Sequence, residues 1–136
     1  MPTGYSRTPL IQKLGIKPTC KVLLLSAPKE YEALLGVDIK PQLCAISDDP
    51  DLIHLFARDA KSFYDEMKRM KPLYMRNPYL ILWVSWYKKA SNIPTDLTED
   101  LIRDYALSNG LVDVKVCAVN DSWSALKLVV PLTKRK

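Results

Sequence analysis

The polar residues best placed for chemistry follow the chain's most apolar stretch. Tyr79-Leu80-Ile81-Leu82-Trp83-Val84-Ser85-Trp86 reads as a strand, and Tyr87-Lys88-Lys89-Ala90-Ser91-Asn92-Ile93-Pro94-Thr95-Asp96 reads as the loop beyond it. In open α/β sheets, ligands bind outside the carboxyl ends of the strands. Two lysines, hydroxyls and a following helix start are the ingredients of an anion site. Lys88, Lys89, Ser91, Thr95 and Asp96 are therefore the candidate ligand-binding residues, with Trp86 beside them. The plain alternative is a strand end, two solvated lysines and a capped helix. Asp121 and Trp123, with Tyr5, form a second candidate contact group, although a tryptophan opening a strand also packs inward.

Other groups carry less. The turn Ser26-Ala27-Pro28-Lys29 follows the first apolar run, where nucleotide-binding folds place a glycine-rich loop. Here there is no glycine, and Pro28 removes a backbone donor. This argues against a nucleotide cofactor, and no cofactor is expected. His54, the single histidine, lies inside an apolar run and reads as a satisfied core residue rather than a base. Asp48, Asp49 and Asp51 share one loop and read as a turn, so no metal is expected. No catalytic residue can be named from spacing alone. Cys20, Cys44 and Cys117 form no C-x-x-C pair and sit in apolar runs, which points to buried free thiols and a cytoplasmic location.

These residues need elements to hold them, and the chain alternates strand-like and helix-like segments. Thr8 to Gly15 reads as a short helix capped by Thr8, with Pro9 first and Gly15 at its end. Cys20–Leu25 reads as a strand covered on both faces. Pro28–Leu35 is helical, Gln42–Ile46 a weaker strand, and Leu52–Ala57 another strand. From Asp59 to Met70, the residues Ala60, Phe63, Tyr64, Met67 and Met70 lie along one helical face. Pro72 and Pro78 bracket the expected loop. A further helix starts near Glu99, capped by Thr98 or Asp96, with Leu97, Leu101, Ile102 and Tyr105 as its apolar face. Val112–Val119 and Ser124–Val130 are expected to pair across Asn120-Asp121-Ser122.

The expected architecture is a single α/β domain over 1–136. It would be a three-layer, Rossmann-like mixed sheet of five to six strands, ending in an antiparallel pair. One link resists a regular version. Ser47–Asp51 is too short for a parallel crossover, which needs about a dozen residues. Gln42–Ile46 is then an antiparallel or edge strand, or barely a strand.

At 136 residues the chain has room for one domain and a real core. The composition, 48% hydrophobic and 26% charged, is that of an ordinary globular protein. There is no apolar run of membrane-spanning or signal-peptide length, so neither membrane nor export is expected. The net charge is +5, but Lys134, Arg135 and Lys136 supply three of those charges. The short basic tail, 133–136, reads as a solvated end, and nucleic acid is not the expected partner.

Several stretches resemble a known group. They include Gly4-Tyr5-Ser6-x-Thr8-Pro9-Leu10, Lys13-Leu14-Gly15-Ile16, Trp83-Val84-Ser85-Trp86-x-Lys88-Lys89-Ala90-Ser91 and Gly110-Leu111-Val112-Asp113-Val114-Lys115-Val116. With Pro94-Thr95-Asp96-Leu97-Thr98-Glu99-Asp100 and Trp123-Ser124-x-Leu126-Lys127-Leu128, they resemble an uncharacterised bacterial family, catalogued as a domain of unknown function, over nearly the whole chain. That resemblance implies no activity. A looser likeness is to the Rossmann-like core of class I methyltransferases, which also ends in a strand pair. The absent glycine loop separates this chain from them, and fold likeness does not license the activity. The expectation is a non-enzymatic domain binding a small anionic ligand or a protein partner. The rival is a small enzyme on a phosphorylated or carboxylated metabolite, a divergent methyltransferase-like protein included, with Asp96 or Asp121 as acid or base.

Overall fold

The computed structural model describes residues 9–131 and Thr133. Tyr5, Thr8 and the basic residues 134–136 lie outside them. The described chain runs α1 (Leu10–Leu14), β1 (Val22–Leu25), α2 (Tyr31–Leu35), β2 (Leu52–Phe56), α3 (Ala60–Arg76), β3 (Ile81–Tyr87), α4 (Glu99–Ser108), β4 (Val112–Ala118) and β5 (Trp123–Val129). The strands form one sheet in the order β1-β2-β3-β5-β4. β1, β2 and β3 are parallel, whereas β5 is antiparallel to both β3 and β4. The architecture is thus an α/β, Rossmann-like mixed sheet closed by an antiparallel pair.

The side-chain alternation of the strands splits the core in two. Leu23, Ile53, Leu55, Leu82 and Val84 pack beneath α3 and α4, against Phe63, Met67, Met70 and Ile102. Val22, Leu52, Phe56 and Trp83 pack on the other face against Leu14, Tyr31, Leu35 and Ile39 of the α1–α2 side. Helices therefore cover both faces. Trp83 anchors the first of them, its Nε1 donating to the Leu14 carbonyl at 2.9 Å. Gly15 ends α1 at φ 78, a left-handed conformation that glycine adopts without Cβ strain.

The awkward segment 42–46 is resolved by the topology. It forms no strand, only an isolated parallel bridge between Leu43 and Val22. Val22 also pairs with Leu52 of β2, so Leu43 lies along the opposite edge of β1. From there the chain doubles back past the amino end of β1. Lys21 holds this passage: its N–H donates to Asp51 Oδ2, its Nζ to the Asp48 carbonyl, and its own carbonyl accepts from Asp51 and Leu52. The short Ser47–Asp51 link thus never has to carry a crossover between neighbours. The winding leaves β1 towards one edge and β2 towards the other, and its reversal lies between those two strands.

The expected loop at Pro72 is a second correction, because α3 continues through Pro72 to Arg76. An interior proline costs a helix about 3 kcal/mol. Burying one large apolar side chain returns about 1.5–3 kcal/mol, and α3 buries Phe63, Met67, Met70, Leu73 and Tyr74. Two of these lie beyond the proline, and the Tyr74 hydroxyl donates to the Asn109 carbonyl at 2.8 Å. Packing outweighs the local break.

Candidate functional site

A pocket of about 760 Å³ opens at the carboxyl end of β3. One wall is the strand end and its sequel: Trp86, Tyr87, Lys88 and Lys89. A second wall is the start of α4, with Thr98, Glu99 and Asp100, and the loop residues Thr95 and Ile93 also line it. Of the residues expected from sequence, Lys88, Lys89, Thr95 and Trp86 line this space, while Ser91 and Asp96 lie outside its walls.

The loop is held in place by its own polar side chains. Ser91 Oγ donates to the Lys88 carbonyl at 2.6 Å and accepts from Ile93 N–H. Thr95 Oγ1 donates to the Arg58 carbonyl at 2.8 Å and accepts from Leu97 N–H. Asp96 Oδ1 accepts from Ala60 N–H at 2.8 Å, while Asp59 takes Ser62 N–H. Asp96 therefore caps α3, a helix earlier in the chain. α4 is capped by Thr98, which accepts from Leu101 N–H. These bonds staple the β3–α4 loop to the β2–α3 turn.

The charges on the pocket's two walls have opposite signs. Lys88 and Lys89 supply cations. At the start of α4, Glu99 and Asp100 are both engaged by Arg103, which also reaches Asp113 of β4 at 3.0 Å. One guanidinium thus meets three carboxylates, and the α4 wall stays net negative. A ligand here meets both signs of charge.

The crevice that doubly wound folds commonly use lies elsewhere. It sits above β1 and β2, where the winding reverses. Arg58 occupies that position. Its Nη1 donates to the Ser26 carbonyl at 3.2 Å, and its guanidinium carbon lies 5.4 Å from the Trp123 ring centroid. Ser26 takes φ 58, the left-handed conformation that a glycine would adopt without strain. Nothing in the sequence singled out Arg58, since one arginine after an apolar run is an ordinary surface residue. Trp123 is only 4% exposed and stacks on Tyr87 at 4.2 Å, so it is a packing residue and not an exposed contact. Asp121 is exposed in the β4–β5 turn.

His54 is fully buried and fully satisfied. Its Nδ1 lies 2.8 Å from the Tyr31 hydroxyl and its Nε2 lies 2.6 Å from Ser85 Oγ. A neutral imidazole donates through one nitrogen and accepts at the other, so one hydroxyl donates to the ring and the other accepts. Burial lowers the His54 pKa to about 3 and pushes the Tyr31 hydroxyl up. Serine, histidine and tyrosine in line have the look of a nucleophile with its base, but the histidine and serine have no exposure to substrate. The arrangement ties α2 to β2 and β3.

Among the described residues no cluster of three or more histidine, cysteine or acidic side chains could hold a metal. Cys20, Cys44 and Cys117 are free and only partly buried, less enclosed than their apolar surroundings implied. Partial burial nevertheless raises all three thiol pKa values. No described helix is long and apolar enough to cross a membrane.

No family model and no curated protein matches the sequence. Solved structures do match the fold. A protein in the NADB-Rossmann superfamily from Streptococcus agalactiae superposes with a TM-score of 0.57 at 10% identity, over 92% of this chain and 69% of that one. An uncharacterized protein from Listeria monocytogenes serotype 4b gives 0.57 at 8% identity, over 93% and 69%. At such identities the likeness is one of fold, and the chain has the Rossmann-like fold.

Proposed function

We propose that this protein is a non-enzymatic domain binding a small ligand in the pocket between β3 and α4. The ligand carries an anionic group towards Lys88 and Lys89. The observation that carries the reading is the opposed charge of the two walls, lysines on one and the Arg103-linked carboxylates on the other. A bare anion gains from the lysines and is repelled by Glu99 and Asp100. A ligand that also bears a cationic group gains from both walls, so the favoured class is a small zwitterion. Membership of the uncharacterised bacterial family and a cytoplasmic location belong to the same reading, supported by the shared stretches and the unpaired cysteines.

The test is a thermal-shift screen of amino acids, short peptides and carboxylated or phosphorylated metabolites. Zwitterions are expected to raise the melting temperature, since a ligand at a hundredfold excess over its Kd stabilises by about 2.7 kcal/mol. Replacing Lys88 and Lys89 with alanine is expected to abolish the shift. A shift that survives the double substitution would remove this pocket, and turnover of any compound would overturn the binding-only reading.

A further inference from the structure

We propose that the sheet face between α1 and the outer edge of β4 binds a small polyphosphate, a soluble compound with two or more adjacent phosphoryl groups, through Lys13, Lys115 and Lys127. The strand register builds this face. Lys127 of β5 pairs with Trp83 of β3 on one side and with Lys115 of β4 on the other. Paired residues share a face, and Trp83 belongs to the core under α1 and α2. In the next row Ala125 pairs with Cys117. Burial raises the Cys117 pKa, and the ammonium groups of Lys13 and Lys115 act against that rise. Lys13, in the last turn of α1, therefore stands over the same patch as Lys115.

Like charges placed directly opposite on one face weaken a sheet. Here the chain does not draw them apart. The Lys115 ammonium lies 5.9 Å from the Trp83 ring centroid, although β4 and β3 are two strand spacings apart, about 10 Å. Lys115 thus reaches inward over β5 and towards α1, instead of out from the edge. The elements of this patch bring no acid to it. α1 and β5 contain no aspartate or glutamate, and Asp113 of β4 is bonded by Arg103 on the α4 side at 3.0 Å. Residues 1–8 and 132–136 carry no acidic side chain either.

Charge complementarity makes the occupant an anion, and the surroundings narrow its class. Directly opposed strand positions hold their Cβ atoms about 5 Å apart. The ammonium groups of Lys115 and Lys127 can therefore meet on adjacent phosphoryl oxygens, with Lys13 closing from the helix side. Lysine serves phosphate as a mobile point charge. A single-stranded nucleic acid would need rings on which to stack its bases. α1 and β4 contain no aromatic residue, and Trp123 of β5 is buried. The patch is distinct from the pocket at the end of β3. Trp86 and Leu97 of that pocket belong to the core beneath α3 and α4, on the other face of the sheet.

An NMR titration of the backbone amides with sodium tripolyphosphate at low salt tests this. Binding is expected with a Kd of about 10–100 μM, shifting the amides of Lys115, Cys117 and Lys127. Inorganic orthophosphate is expected to bind at least about tenfold more weakly. Lys13→Gln and Lys115→Gln together are expected to weaken tripolyphosphate binding by at least about tenfold, with an unchanged or higher melting temperature because repulsion is relieved. Replacing Lys88 and Lys89 with alanine is expected to leave the affinity unchanged, which separates this face from the β3 pocket. Several results would overturn the proposal: no binding up to about 5 mM, full affinity in the Lys13 and Lys115 variant, or amide shifts centred on Lys88–Ile93. Orthophosphate binding as tightly as tripolyphosphate, or a short single-stranded oligonucleotide binding more tightly at the same amides, would do so too. Should the double variant fail to fold, the amide map of the unsubstituted protein decides alone.

Discussion

His54 shows how one side chain sets a property of the whole protein. Its pKa is about 3 when folded, against an ordinary 6.5. Between those values the unfolded chain binds a proton that the native state refuses. The stabilisation is therefore complete above pH 6.5 and is lost progressively as the pH falls towards 3. Each unit is worth 1.36 kcal/mol, giving a ceiling of roughly 5 kcal/mol. Urea melts from pH 7 to 4 are expected to show this loss. His54→Leu should flatten it, while lowering stability at pH 7 by about 2–4 kcal/mol because two buried hydroxyls lose their partner. That His54 is a core residue was legible in the sequence from its apolar neighbours. Its partners were not, because Tyr31 and Ser85 stand 23 and 31 residues away. Ser26 presents the same contrast. The missing glycine was visible, but the left-handed backbone that serine holds in its place was not. Ser26→Val is expected to destabilise by about 1–2 kcal/mol, and Ser26→Gly to be tolerated, as read by thermal denaturation.

At the scale of elements, α3 carries a local penalty that its packing outweighs. Pro72→Ala restores one helical hydrogen bond and is expected to stabilise by about 1–2 kcal/mol, less than the full helix penalty because the unfolded chain also gains freedom. An unchanged or lower melting temperature would mean that the proline ring fills a packing role. The apolar stripe from Phe63 to Met70 was readable because its period is that of a helix. Its continuation to Arg76 was not, because Pro72 marks a break in any local reading and only the contacts of Leu73 and Tyr74 overrule it. Asp96 presents the reverse problem. A carboxylate three residues before Glu99 reads as a cap for the helix that follows, but it caps α3, 36 residues back. Asp96→Ala is expected to cost about 1 kcal/mol and to loosen the β3–α4 loop, detectable as faster amide exchange at Ala60. Lys88 and Lys89 were legible as a candidate site because the strand before them is unmistakable. The opposing charge of Glu99 and Asp100 was not, since it depends on α4 folding back across the strand end.

For the molecule as a whole, alternation of strands and helices was enough to give the fold class and the closing antiparallel pair. The winding was hidden, because one bridge at Leu43 leaves almost no pattern in the sequence. With Arg58 spanning the reversal point, added NAD or S-adenosylmethionine is expected to leave the melting temperature unchanged, and a clear rise with either would show that Arg58 yields. The placement of β5 between β3 and β4 has a consequence for the protein as it is being made. β1, β2 and β3 can pair in the order in which they leave the ribosome. β4 then emerges with no strand to join, exposing Val112, Val114 and Val116, until the residues up to Val129 have followed and slipped in beside it. A nascent chain whose strands pair in the order of synthesis would pass through a stage with two bare strand edges, at β3 and β4. The time spent there, more than the stability of the finished domain, would set how readily it aggregates during synthesis.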